Sequence, residues 1–352
     1  MSSDQAAHTA SASRRLLVLA EGNSQDPHYG KTGRGVIRYR PESVVAVLDS
    51  EHAGETLLGK PIVGSVADAL AYEPTAALVG VATQGGRFPS AWRELLKDCI
   101  ANGLDVESGL HEFISDDPEL ASLAALHGVE LRDLRKPPPG LNVPTGANLT
   151  HGAKVALMVG SDCAIGKMTV ALELDAEAKR RGIASEFVPT GQTGIAIAGW
   201  GISVDAVVSD FVAGAAERLV LEGVERGGEL VLVEGQGSLL HPAYSGVTLG
   251  LLHGSAPHVY ILCHLAGQQF VDEDERFPMP SLTSLVELHE RMSLLARPAR
   301  VAAVALNTRL LGDAEARAAV AAVEGETGLP ADDPVRFGAG RLLDALVAAL
   351  PG

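Results

Sequence analysis

The stretch Lys154–Arg181 reads KVALMVGSDCAIGKMTVALELDAEAKRR, and it decides the fold of this chain. Its first part (VALMV) is an apolar run of strand length, and the segment from Thr169 onward is rich in Ala, Leu, Glu and Lys, which favours a helix. The turn between them contains Gly160, Gly166 and Lys167. A strand, a glycine-containing turn and a helix in this order predict a phosphate-binding loop, or P-loop.

The chemistry of such a loop explains its residue types. Glycines let successive backbone N–H groups curl around a phosphate, the helix start adds the positive end of its dipole, and Lys167 adds a point charge. A lysine in so tight a turn has little structural purpose, which argues against a turn without a ligand. The residues that we expect to bind the phosphate-bearing ligand are Gly160, Ser161, Asp162, Cys163, Ala164, Ile165, Gly166, Lys167, Met168 and Thr169.

The loop departs from the usual P-loop pattern in two ways. Five residues separate Gly160 from Gly166, where four are usual, and Met168 follows the lysine, where Ser or Thr is usual. The hydroxyl arrives one position later, at Thr169. Because that first hydroxyl normally holds a magnesium ion, phosphate binding is predicted more firmly than magnesium-dependent chemistry on ATP.

Composition limits the classes of partner. The 352 residues include 28 Lys and Arg against 44 Asp and Glu, a formal charge of −16, which disfavours binding to nucleic acid or to an anionic membrane. Cys99, Cys163 and Cys263 have no paired spacing, so we expect no disulfide framework and a reducing, cytoplasmic location. No apolar run is long enough to span a membrane.

Alternating strands and helices predict an α/β fold with two parallel sheets. We expect a disordered tail over residues 1–13, a Rossmann-like domain without its diagnostic glycines over 14–135, a proline-rich linker over 136–151, and a P-loop domain over 152–352. In the first domain, the segment EGNSQDPHYGKTGRGVIRY (21–39) follows a strand and is interpreted as a loop. Its Lys31 and Arg34 could contact a phosphate or carboxylate, although a mobile loop is the favoured interpretation.

Polar residues follow the later strands of the second domain, at the sheet edge where ligands bind in open parallel sheets. Thr190, Gln192 and Thr193 are either ligand contacts or parts of an ordinary turn. Asp210 either caps the helix predicted from Phe211 to about Arg226, which is favoured, or faces the site. The acidic run 272–275 is interpreted as a solvated surface.

Glu234 is the second strong signal, because it ends the apolar run LVLV and precedes a glycine-rich turn. A carboxylate buried at a strand end is costly without a purpose. Paired with a P-loop, it either holds a metal ion, together with Thr169, or acts as a base near the transferred group. Ser238 and His241 follow at once. His241 is as readily structural as catalytic, and Ser238 is a candidate substrate contact.

Three segments resemble the dethiobiotin synthetase type of P-loop protein: GSDCAIGKMT, VPTGQTG and VLVEGQGSL. Proteins of that type also space the loop glycines five apart and have a glutamate–glycine turn on a later strand. The resemblance implies that Asn307, after a late strand, meets an adenine, and that the protein is a homo-oligomer. Met168 differs, because that group has a magnesium-binding hydroxyl there.

The chain from about Leu16 to Leu350 is similar to a P-loop family, formerly of unknown function, with a Rossmann-like N-terminal domain. The resemblance rests on the EGN…YGKTG opening and the GSDCAIGKMT loop. Members of that family include D-glutamate N-acetyltransferases, so the resemblance implies transfer of acetyl from acetyl-CoA to an amino acid, with D-glutamate the leading substrate. The residues predicted to act as base are Glu234 or His241. Lys31 or Arg34 are predicted to hold the substrate carboxylates.

Two other functions stay open on the sequence. In an ATP- and Mg²⁺-dependent ligase or kinase acting on a small carboxylate, Lys167 meets the β- and γ-phosphates, and Thr169 and Glu234 hold the metal. The third possibility is a nucleotide-binding regulator without catalysis. Coenzyme A has an adenine, a pyrophosphate and a 3′-phosphate, and it needs no catalytic magnesium. Met168 therefore favours acetyl-CoA.

Overall fold

The computed structural model describes residues 14–26, 29–81 and 92–351. The chain forms two compact units, one made of the residues up to Lys136 together with 195–200, and the other of 137–194 and 201 onward. Both units are α/β, as the sequence predicts. The expected disordered tail and the turn expected at TQGGRFP (83–89) lie outside the described residues.

The first unit is built on a seven-stranded sheet in the order β3-β4-β2-β1-β5-β6-β7, in which β3 and β4 pair antiparallel and the other neighbours are parallel. Its strands are β1 Leu16–Leu19, β2 Val44–Leu48, β3 Thr56–Leu57, β4 Lys60–Val63, β5 Ala76–Val79, β6 Asp105–Ser108 and β7 Leu131–Asp133. Its helices are α1 Lys31–Tyr39, α2 Val66–Ala69, α3 Trp92–Ala101 and α4 Pro118–His127.

Helix α1 corrects one prediction, since residues 21–39 were expected to be a loop throughout. Glycines at positions 33 and 35 weaken the local helix signal. Position 33 needs a glycine because the backbone there closely approaches other residues. The N–H of Gly33 donates to the carbonyl of Gly80 at 2.8 Å, and a Cβ at this position would lie 2.7 Å from a methyl of Val18. The helix packs against the sheet because Val36 and Ile37 are buried, so tertiary contact outweighs the low propensity.

The second unit is built on a six-stranded parallel sheet in the order β13-β12-β11-β8-β10-β9. Its strands are β8 Lys154–Gly160, β9 Ser185–Val188, β10 Leu230–Val233, β11 Val259–Leu265, β12 Arg300–Asn307 and β13 Ala331–Asp332. Its helices, with α6 shared between the units, are α5 Lys167–Arg180, α6 Gln192–Ala198, α7 Val212–Glu225, α8 Ser245–Ser255, α9 Leu282–Arg291, α10 Asp313–Thr327 and α11 Gly340–Ala349.

Helix ends show where local sequence signals succeed and fail. Ser65 caps α2 by accepting from the N–H of Asp68, as its position before the helix predicts. The prediction that Asp210 caps α7 is wrong: Phe211 occupies the N-cap position without a side-chain cap, and Asp210 is exposed on a 3₁₀ turn before the helix. The extra 3₁₀ turn shifts the helix start beyond the reach of the aspartate.

The parallel sheet of the second unit brings the predicted site residues of four strands to one edge. Gly160 ends β8, Thr190 and Glu234 follow β9 and β10, and Asn307 ends β12. Register fixes their neighbours, because Val233 lies opposite both Val188 of β9 and Leu157 of β8. The candidate site is therefore the carboxyl edge of this sheet.

Among the described residues, no helix combines the length and the apolar character that crossing a membrane requires.

Candidate functional site

The P-loop connects β8 to α5 over Ser161–Gly166. Two of its residues adopt left-handed backbone conformations, Ala164 with φ 53° and Gly166 with φ 115°. The second permits the sharp entry into α5, which begins at Lys167 and not at Thr169 as the sequence suggested. The start of a 14-residue helix therefore lies directly behind the loop, where its dipole favours an anion.

Lys167 lies inside the loop. Its side chain is buried, and Nζ donates to the carbonyl of Asp162 at 2.6 Å. Burial lowers the pKa of the Lys167 ammonium, although nearby Asp162 and Glu234 act in the opposite direction. A buried ammonium with a main-chain carbonyl as partner is costly unless an anion completes its surroundings.

Glu234 is only 4% exposed and is oriented through one carboxylate oxygen. Oε2 accepts from the backbone N–H groups of Thr190 at 2.9 Å and Gly191 at 3.2 Å. Within the described parts of the chain, Oε1 accepts no hydrogen bond. Burial raises the pKa of the Glu234 carboxyl to about 7, against the lowering effect of the two amides. One oxygen is thus held and the other is available for proton transfer near neutral pH.

Glycines around Glu234 make this arrangement possible. A Cβ at Gly194 would overlap Oε2 of Glu234, and a Cβ at Gly235 would overlap the carbonyl of Met158 on β8. Thr190 adds a bond from its hydroxyl to the Glu234 carbonyl at 2.8 Å. The carboxylate is therefore enclosed by the ends of β8, β9 and β10.

Gly194→Ala should lower the catalytic activity that Glu234 supports, with little loss of folding, because the new methyl pushes the Glu234 carboxylate off the amides of Thr190 and Gly191. We expect kcat to fall by about tenfold or more, since small misplacements of a catalytic group reduce the rate strongly. Gly325→Ala is the matched control, because nothing lies within 4 Å of a Cβ there. Equal activity of the two variants would contradict the assigned role of this contact. Activity assays and thermal melts measure both effects.

Ser161 fixes the P-loop to its neighbours. Its N–H donates to the carbonyl of Cys263 at 3.0 Å, and its Oγ lies 2.9 Å from Nδ1 of His264. Ser238 was expected to contact the substrate, yet its buried hydroxyl donates to the carbonyl of Ser161 at 2.9 Å. Burial lowers the pKa of His264, which favours the neutral imidazole. These contacts join the loop to β11 and to the segment that follows β10.

His241 is buried beside the loop, and both ring nitrogens are engaged. Nδ1 accepts from the N–H of Ala243 at 3.1 Å, which requires the proton to be on Nε2. Nε2 lies 3.5 Å from Oδ2 of Asp272. This geometry favours a positioning role for His241 over that of a base.

Donor atoms of Asp162, Cys163 and His241 lie within 4.8 Å of one another, a separation that could suit a metal ion. The fit is poor. Asp162 Oδ1 accepts from the N–H of Cys163, and Oδ2 accepts from Gln268 and from the N–H of Asp272. Burial raises the pKa of the Cys163 thiol to about 11. With the His241 Nδ1 lone pair also engaged, this cluster shapes the loop and is not an assembled metal site.

The side chain of Asn307 contacts the P-loop. Its Nδ2 donates to the carbonyl of Ile165 at 2.9 Å, and its Oδ1 accepts from the N–H of Arg309 at 3.2 Å. The amide orientation is therefore fixed by the loop and by the chain after β12. A contact with adenine stays a prediction.

The other predicted site residues fall into two groups. Thr169, Gln192 and Thr193 lie in the first turns of α5 and α6, near the carboxyl edge of the second sheet. Lys31 and Arg34 belong to α1 of the first unit, where the Arg34 guanidinium donates to the carbonyl of Ser24 at 2.9 Å. Their expected contacts with metal, substrate or carboxylate stay predictions.

Sequence reasoning missed several residues that support the site. Asp272 was assigned to a solvated acidic run, and its side chain is indeed exposed, but its N–H holds Asp162 and its carboxylate faces His241. Gln268 holds the same Asp162 oxygen, and Gln236 donates to the Thr190 hydroxyl at 3.2 Å. His264, one residue beyond an apolar strand run, had a positional signal that could have identified it.

The fold and this site define a two-unit P-loop protein with a Rossmann-like first domain. The chain belongs to the DUF1611 family. The description "Domain of unknown function (DUF1611_N) Rossmann-like domain" matches residues 50–137, and "Domain of unknown function (DUF1611_C) P-loop domain" matches residues 142–343. The family expected from the loop and opening motifs is thus confirmed.

Relatives span nearly the whole chain. A D-glutamate N-acetyltransferase of Tritonibacter scottomollicae is 38% identical over 334 residues, covering 95% of this chain and 98% of the relative. One of Pseudoalteromonas sp is 35% identical over 274 residues, covering 78% and 80%. The crystal structure of a DUF1611 family protein from Anabaena variabilis superimposes with a TM-score of 0.88 at 39% identity, covering 95% of this chain and 99% of that one.

Proposed function

We propose that this protein is an amino-acid N-acetyltransferase that uses acetyl-CoA, with D-glutamate the leading substrate. The single observation that supports the chemistry is Glu234, a carboxylate with one oxygen bonded to two amides, the other available, and a pKa raised to about 7. Two relatives named D-glutamate N-acetyltransferase support the choice of substrate.

In the proposed reaction, Glu234 Oε1 removes one proton from the substrate ammonium, which gives the neutral amine. The amine nitrogen attacks the thioester carbonyl and forms the C–N bond, and backbone N–H groups stabilise the oxyanion. The attached nitrogen loses its second proton to solvent, the C–S bond breaks, and coenzyme A leaves as the thiol with the proton that Glu234 held. Glu234 is the better base than His241, because the lone pair of His241 Nδ1 accepts from Ala243.

The P-loop is proposed to bind the pyrophosphate of coenzyme A. Lys167 and the N-terminus of α5 supply the positive charge, and the fixed position of Ser161 supplies a preformed loop. Met168 stands where a magnesium-binding hydroxyl is usual, which fits a ligand whose reaction needs no metal. Thr190, Gln192, Thr193 and Asp210 are proposed to contact the substrate.

The alternatives are the ATP- and Mg²⁺-dependent ligase or kinase and the nucleotide-binding regulator. Both would use the same loop and lysine. The acetyltransferase is preferred because Met168 stands where a magnesium-binding hydroxyl is usual, and because two relatives are named D-glutamate N-acetyltransferase.

Thermal melts with acetyl-CoA and with ATP plus Mg²⁺ test the proposal, because a ligand that binds the folded state raises Tm by mass action. We expect a rise with acetyl-CoA, followed by thiol release on adding D-glutamate. Faster thiol release with L-glutamate than with D-glutamate would change the proposed substrate but not the proposed reaction. A rise with magnesium-ATP alone would overturn the acetyltransferase in favour of the ligase or regulator.

A further inference from the structure

A cavity of about 650 Å³ lies in the second unit beside the edge strand β13, between α10 and α11. Three guanidinium groups and one aromatic ring line it, together with two carboxylates. These residues are Arg317, Arg336, Arg341, Phe337, Glu324 and Asp332. The charged lining suits an anionic ligand better than an apolar one.

Two of the arginines are held by the fold. Arg336 pairs with Asp313 and donates to the carbonyls of Thr308 at 3.1 Å and Leu311 at 2.9 Å. Arg341 pairs with Glu324, which neutralises one lining carboxylate, and donates to the carbonyl of Ala331. Their positions are therefore fixed before any ligand binds.

Arg317 differs from these two. Its guanidinium lies 4.3 Å from the ring centroid of Phe337, which orients its plane. No hydrogen bond or ion pair joins it to another of the described residues. Asp332 does not offset it fully, because burial raises the pKa of that carboxyl. The cavity thus presents an oriented guanidinium that is ready for an anion.

Contacts connect this cavity to the P-loop. Asn307 donates to Ile165 of the loop, and the next residue, Thr308, accepts from Arg336 at the cavity. Thr308 also donates to Asp333, which directly follows β13. The cavity residue Arg336 thus contacts Thr308, which directly follows Asn307, the residue predicted to meet an adenine.

We propose that this cavity binds the 3′-phosphate of coenzyme A, with Arg317 as its principal contact and Arg336 as a second. The inference rests on the proposed use of acetyl-CoA. A phosphate monoester has a charge of about −1.5 to −2 at neutral pH, and guanidinium groups bind it in a bidentate manner. ATP lacks this group, so the cavity selects coenzyme A over ATP.

The test compares coenzyme A with 3′-dephospho-coenzyme A by titration calorimetry on the full chain. We expect the wild type to bind coenzyme A about tenfold or more tightly than the dephospho form. Arg317→Ala should bring the affinity for coenzyme A close to that for the dephospho form, with Arg336 leaving a small residual preference, and should not change the affinity for the dephospho form. Arg317→Lys should keep part of the preference. Arg300→Ala, at the opposite edge of the sheet, is the control and should keep the full preference.

Equal affinities of the two compounds for the wild type would overturn the inference. An equal loss of both affinities in Arg317→Ala would also overturn it, since that would show a general effect. In either case acetyl transfer by the wild type would leave the proposed function intact. If neither compound binds and no acetyl transfer occurs, the proposed function fails, and the inference fails with it.

Discussion

Glu234→Gln is expected to lower kcat/KM for acetyl transfer by a factor of about 10²–10⁴, the usual contribution of a general base. The amide keeps the shape of the side chain, and its oxygen can still accept from the N–H groups of Thr190 and Gly191. Steady-state kinetics with acetyl-CoA and D-glutamate measure the loss. Binding of coenzyme A should change little, because the carboxylate acts on the amine and not on the phosphates.

The pH profile gives a second readout for Glu234. A base acts when deprotonated, and the pKa of this carboxyl is about 7, so activity should rise as pH increases through that value. Because its pKa is raised, the Glu234 carboxyl of the folded protein stays protonated at pH values at which an exposed glutamate has already lost its proton. In the Gln variant this limb should be absent, and only the titration of the substrate amine should remain.

Glu229→Gln is the matched control, because Glu229 is exposed and directly precedes the opposite end of the same strand. The Glu229→Gln variant should keep both the wild-type rate and the rise of activity with pH. Turnover by Glu234→Gln at the wild-type rate would show that Glu234 is not the base. His241→Gln would then be the next variant to measure.

Lys167→Met is expected to weaken acetyl-CoA binding by about 10- to 100-fold, since a hydrogen bond to a charged group contributes roughly 1.5–3 kcal/mol. Methionine fills the space of the buried stem and removes the ammonium that would meet the phosphate. Folding should be kept, because the buried charge is itself costly. Calorimetric titration with acetyl-CoA gives the affinity, and thermal melts report the fold.

The control for this variant is Lys179→Met on the same helix, whose ammonium is exposed and pairs with Asp175 at 2.8 Å. Its affinity for acetyl-CoA should match the wild type. Unchanged affinity in Lys167→Met would mean that the P-loop does not hold the phosphates. That result would remove the basis for the acetyltransferase, the ligase or kinase, and the nucleotide-binding regulator alike.

Local sequence was sufficient for the features that depend on neighbouring residues. The apolar strand, the glycines and Lys167 identified the P-loop, and the run ending at Glu234 identified the second half of the site. Strand periods, turn glycines and helix formers act over a few residues, so they can be read without the fold. The prediction of a loop failed where tertiary contacts outweighed a low local helix propensity, as at Gly33 in α1.

Long-range contacts decided what these residues can do. The held oxygen of Glu234 depends on β9 lying beside β10, which brings Thr190, 44 residues away, to the carboxylate. The contact of His241 Nε2 with Asp272 depends on a loop that follows another strand, β11. Sequence alone thus determined the family, the fold class and the position of the P-loop. Only the tertiary structure distinguished Glu234, which keeps one carboxylate oxygen available, from the engaged His241, because the partners and the burial of Glu234 are set by residues distant in the chain.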